Sequence, residues 1–115
     1  MPAGFDIGGK TFYGSNGAIE RYIEAIGEHA ATRFGPDDEI AAFFREAKEG
    51  YFTGMIVFLD PLLRDAASRT RFVELLDAAT DDLLKQNVWT EMGKTWVSTR
   101  IAEFRQHLVS NPAAG

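Results

Sequence analysis

Five times along this chain, apolar residues recur at the spacing of one face of an α-helix, and that repetition restricts the fold more than any single motif. The first stripe is Ile19, Tyr22, Ile23, Ile26, Ala30 and Phe34; the second is Ile40, Phe43, Phe44 and Ala47. Phe72, Leu75, Leu76, Ala79 and Leu83 form another, and Val97, Ile101, Phe104 and Leu108 the last. An amphipathic helix must cover its apolar face, so the chain reads as helices packed on one another. The remaining stripe, Phe52, Met55, Ile56, Leu59 and Leu63, is ambiguous, because "MIVFLD" at 55–60 also has the look of a short buried strand. The pattern continues past Asp60 into Leu62 and Leu63, and a lone buried strand would lack parallel neighbours. Helix is therefore the expectation for 51–63.

Punctuation agrees with the stripes. Ser15 or Asn16 caps the first helix and Gly35-Pro36 stops it. Pro36 reads as the first residue of the second helix, with Asp37, Asp38 and Glu39 set against its dipole and Gly50 at its end. Asp65 or Ser68 caps the next, which "KQN" closes with Lys85 and Asn87; Thr90 caps the last, with Glu91 in its first turn. Residues 110–115, "SNPAAG", read as a flexible tail.

Residues 4–14, "GFDIGGKTFYG", follow a different rule. Gly8 and Gly9 tolerate positive φ and lie between short β-prone runs, the signal for a hairpin with a type I′ or II′ turn. A two-residue loop sets Ile7 opposite Lys10, Asp6 opposite Thr11 and Phe5 opposite Phe12. Phe5, Ile7 and Phe12 then share an apolar face that needs helices to cover it. The predicted architecture is mainly α within the α+β class: an N-terminal β-hairpin packed on a bundle of four or five helices.

At 115 residues the chain reads as a single domain, 1–115. Nine phenylalanines must line a core or a partner surface. The absence of cysteine removes disulfides, thiolate metal sites and cysteine nucleophiles, and suits a reducing cytoplasm. Met1-Pro2-Ala3-Gly4 does not resemble a signal peptide, and "MIVFL" is far too short to span a membrane. A net charge of −5 disfavours a phosphate backbone as partner, so neither nucleic acid nor membrane is expected.

"GFDIGGKT" also matches the phosphate-loop pattern G-x-x-x-x-G-K-[ST], with Asp60 as an apparent acidic partner. That chemistry needs a strand before the loop and a helix opening at the lysine, so that backbone amides face the phosphates. Three residues precede Gly4, and Phe12-Tyr13-Gly14 follows Thr11. The glycines are better explained as a hairpin turn with Lys10 in a strand, and nucleotide binding through 4–11 is disfavoured. His29, Glu103 and His107 are scattered metal-type ligands, and no metal or cofactor is expected. No nucleophile elbow surrounds any serine.

Two features suit a binding surface. Glu20, Glu24 and Glu28 align on the outer face of the first helix, where like charges do not favour the helix itself. Trp89 and Trp96 flank the start of the last helix and are either clamps on the core or contact residues. The sequence points away from catalysis and toward a small acidic cytoplasmic protein: a partner-binding or regulatory module of the immunity type, or one that self-associates. The alternative is a small enzyme or ligand binder with a pocket between hairpin and helices, lined by Tyr13, Tyr22, His29 or Tyr51.

Overall fold

In the computed structural model, which describes residues 2–86 and 89–110, the chain reverses at Gly8-Gly9. Both glycines have positive φ, 62° and 80°, the combination a type I′ turn requires and a Cβ opposes. Strands β1 (Ala3–Ile7) and β2 (Lys10–Gly14) pair antiparallel in the predicted register, Phe5 facing Phe12 and Ile7 facing Lys10.

Helix α1 (Asn16–Phe34) starts where the serine predicts, the Ser15 hydroxyl accepting the Ala18 N–H. Helix α2 (Glu39–Glu49) begins three residues later than Pro36. Its cap is Asp38, whose carboxylate accepts from the amides of Ile40 and Ala41, so Gly35, Pro36 and Asp37 form the connection. Helix α3 (Ala66–Lys85) opens on a reciprocal box: Asp65 accepts the Ser68 N–H and the Ser68 hydroxyl accepts the Asp65 N–H. The Ser68 amide holds the Asp65 carboxyl below the usual carboxylate range. Thr90 caps α4 (Glu91–Trp96), which continues through a π-helical stretch (Val97–Ile101) into α5 (Ala102–Ser110). Asn87 and the tail beyond Ser110 lie outside the described residues.

The segment 51–63 departs from expectation. Ile56–Phe58 is a strand, β3, not a helix, and pairs parallel with β1 in the order β2-β1-β3. The neighbour thought to be missing is β1, which lies between β2 and β3. Gly54 turns the chain at φ 84°; the Met55 carbonyl then accepts the Gly4 N–H, and the Leu59 N–H donates to the Asp6 carbonyl. Val57 and Leu59 are buried while Phe58 is exposed, the alternation of a half-covered strand.

The phenylalanines explain how the layers join. Phe44 of α2 stacks on Phe72 of α3 at 5.8 Å, Phe72 meets Phe104 of α5 at 6.0 Å, and Phe104 stacks on Phe5 of β1 at 5.4 Å. All four are fully buried within one contiguous core cluster. Burying each such side chain contributes about 1.5–3 kcal/mol. Phe34, placed on the buried stripe by its spacing, lies at the surface with the Arg71 guanidinium 4.2 Å from its ring centre. Among the described residues no helix is long and apolar enough to cross a membrane.

Candidate functional site

The phosphate-type motif is built as a turn. Lys10 belongs to β2, with its ammonium 5.1 Å from the Phe12 ring centre. Asp60 does reach the glycines, but its carboxylate accepts the Gly8 N–H at 3.0 and 3.2 Å. A negative group thus already holds the amide that a phosphate would need.

The four proposed pocket residues have different surroundings. Tyr22 is fully buried with its hydroxyl 2.9 Å from that of Thr80, and burial pushes its phenol up to about 12. Tyr51 donates to the backbone carbonyl and side-chain oxygen of Asn16, tying the loop before β3 to the start of α1. Burial also raises its phenol above the ordinary range. His29 meets the Asp82 carboxylate of α3 at 2.5 Å, while Tyr13 is exposed on β2. Of the other metal-type residues, Glu103 pairs with Arg100 at 3.2 Å and His107 lies against the Phe12 ring.

The acidic face of α1 is partly neutralised. Lys48 of α2 reaches Glu20 at 2.6 Å and Glu24 at 3.4 Å. The hydrogen bond that Lys48 donates to Glu20 is the main reason its ammonium holds its proton beyond the usual lysine range. Between these helices lies a cleft of about 470 Å³, with Phe44, Ala41 and Gly27 in its wall and Glu24, Glu28, Arg45 and Lys48 among its lining residues.

The tryptophans are brought together. Trp89 and Trp96 line one cleft of about 450 Å³ between the first turns of α1 and α4, shared with Ala18, Arg21 and Met92. Each indole is fixed by its own hydrogen bond. Trp89 Nε1 donates to the Leu83 carbonyl at 2.6 Å, and Trp96 Nε1 donates to the Tyr13 carbonyl at 2.8 Å. Two glycines admit the rings: a Cβ at Gly14 would stand 2.4 Å from Trp96 Cζ2, and one at Gly93 would stand 2.7 Å from Trp89 Cε3. Tyr22 meets Trp96 edge-on at 5.9 Å, joining the cleft to the core.

The lip of this cleft is open to solvent. Met92 is 84% exposed. Arg21 is the single charged lining side chain, and it makes no ion pair or hydrogen bond among the described residues. The π-helical stretch begins directly after Trp96, and such stretches occur often at functional sites. The sequence marked Trp89 and Trp96 but missed Met92, one helical turn before Trp96, and Arg21, which joins them only because α1 lines the same cleft. Comparison with family models, curated proteins and solved structures gives no match for this chain.

Proposed function

We propose that this chain is a partner-binding module of the regulatory, immunity type, working in the cytoplasm by presenting a preformed surface to another protein. The observation that supports this reading is the tryptophan cleft, where two fixed indoles, an unpaired arginine and an 84% exposed methionine meet. Tryptophan and arginine dominate the energetics of protein interfaces, and methionine adapts its shape to varied partners. Indoles already held by hydrogen bonds lose little freedom on binding, so less of the contact energy is spent on ordering. The net charge of −5 favours protein over nucleic acid, and the absence of cysteine suits a reducing compartment.

Affinity capture from the source cells, run in parallel with wild type and Met92→Asp, tests the reading. A protein retained by wild type and lost with the variant, then confirmed with purified components, is the expected result. Identical captures by the two chains would overturn the role of the cleft.

A further inference from the structure

The cleft has a charge and a shape that restrict what fills it. Among its described lining residues there is one cation, Arg21, and no carboxylate, although acidic residues outnumber basic ones 17 to 12 in the chain. Six other described cations, Lys48, Arg64, Arg71, Lys94, Arg100 and Arg105, have acidic partners within ion-pair distance, while Lys10, Arg33, Arg45 and Lys85 have none among the described residues. Arg21 has none either, and what sets it apart is its place in a cleft lined by two indoles, where a carboxylate would find a charge-assisted hydrogen bond next to apolar surface.

The shape points to a chain rather than a small acid. Met92 and Trp96 also line an adjoining, more open depression of about 430 Å³ that runs past Glu91, which lies 3.7 Å from the Lys94 ammonium, toward Thr99 and Arg100. A ligand crossing this shared ridge touches both depressions, which suits several successive residues of a peptide. We infer that the partner presents an acidic, apolar segment, with a bulky apolar side chain against Trp89 and Trp96 and a neighbouring Asp or Glu on Arg21. This inference rests on the partner-binding reading and adds the chemistry of the partner.

The full chain already carries its own reporter, because Trp89 and Trp96 are its only two tryptophans. A displayed library of random twelve-residue peptides without tryptophan would be selected on the wild-type chain. The selected peptides would then be titrated by intrinsic fluorescence against wild type, Arg21→Gln and Gly17→Leu. Gly17 lines the cleft, and no heavy atom outside its immediate chain lies within 4 Å of a Cβ placed there. Leucine at that position fills the cleft while replacing a weak helix former with a strong one. Circular dichroism and thermal melting confirm that each variant is folded.

The expected result is enrichment of Asp or Glu within three residues of Phe, Leu, Ile or Met. Affinity should fall about tenfold in Arg21→Gln, from loss of a hydrogen bond between charged groups, and beyond detection in Gly17→Leu. Peptides that Gly17→Leu rejects but Arg21→Gln binds as wild type does would leave the partner-binding reading standing and overturn the acidic segment. No enrichment, or binding indifferent to both variants, would overturn both. A homodimer in sedimentation that Gly17→Leu dissociates would replace the acidic segment with a second copy of this chain.

Discussion

Two clefts of nearly equal size flank α1, about 470 Å³ against α2 and about 450 Å³ against α4, and they differ in how much of their chemistry is already used. In the first, Lys48 answers Glu20 and Glu24, and Arg45 donates to the Pro36 carbonyl at 3.0 Å. Its wall includes Phe44, a fully buried member of the aromatic series that joins the layers. In the second, the indole nitrogens are satisfied but Arg21 has no acidic partner and Met92 projects into water. Volume does not separate a helix seam from a binding surface here. Exposed apolar area does, since Glu28 and Glu49 line the first cleft without an ion pair among the described residues.

That contrast can be broken most forcefully at Phe44. If the α1–α2 cleft is a seam of the fold, Phe44→Ala should cost about 3–5 kcal/mol, as large-to-small changes in aromatic cores do. Urea denaturation with an unchanged slope would measure it, and a loss below about 1 kcal/mol would show that this wall is dispensable. Gly14→Ala comes next and attacks the other cleft. The new methyl would stand 2.4 Å from Trp96 Cζ2, forcing the indole off the Tyr13 carbonyl. Overpacking of this kind costs about 1–3 kcal/mol, and a red shift in tryptophan emission should accompany it. An unshifted spectrum with wild-type stability would mean that the ring does not depend on the gap at Gly14.

The same comparison shows what the sequence disclosed. The helix stripes placed Ile19, Phe44, Phe72 and Phe104 in the core because periodicity is local and burial follows it. Gly8-Gly9 fixed the hairpin and its register because a two-residue turn leaves little choice. Ile56–Phe58 was misread because five apolar residues fit both periods, and only pairing with β1, some fifty positions away, decides between them. Trp89 and Trp96 were conspicuous by residue type alone. Arg21 carried no local mark, since its meaning depends on α4 arriving beside it and on no acid arriving with it.

Behind the tryptophan cleft, Tyr22→Phe tests how far its wall serves the core. Loss of the hydrogen bond to Thr80 should cost about 1 kcal/mol at neutral pH. The fold favours the neutral phenol, moving its ionisation from 10.0 to about 12. Its contribution is therefore complete below pH 10 and declines as pH rises from there through about 12, where the unfolded chain has already lost the proton. The gap between wild type and Tyr22→Phe should narrow between pH 10 and about pH 12; a constant gap would place the phenol in contact with water.

The smallest effects divide the two clefts most cleanly. Lys48→Met leaves Glu20 and Glu24 without their shared cation, at a cost below about 1 kcal/mol that shrinks as salt is added, because the groups are partly exposed. The cost should also diminish at alkaline pH, where the raised Lys48 ammonium finally loses its proton and its contribution to the fold. Met92→Ser on the opposite cleft should shift stability by no more than about 0.5 kcal/mol at any salt concentration, since an 84% exposed side chain leaves little burial to lose. Paired melts of the two variants at low and high salt read both outcomes. A larger loss in Met92→Ser than in Lys48→Met would make the tryptophan cleft part of the fold's own support and remove the distinction drawn between the two sides of α1.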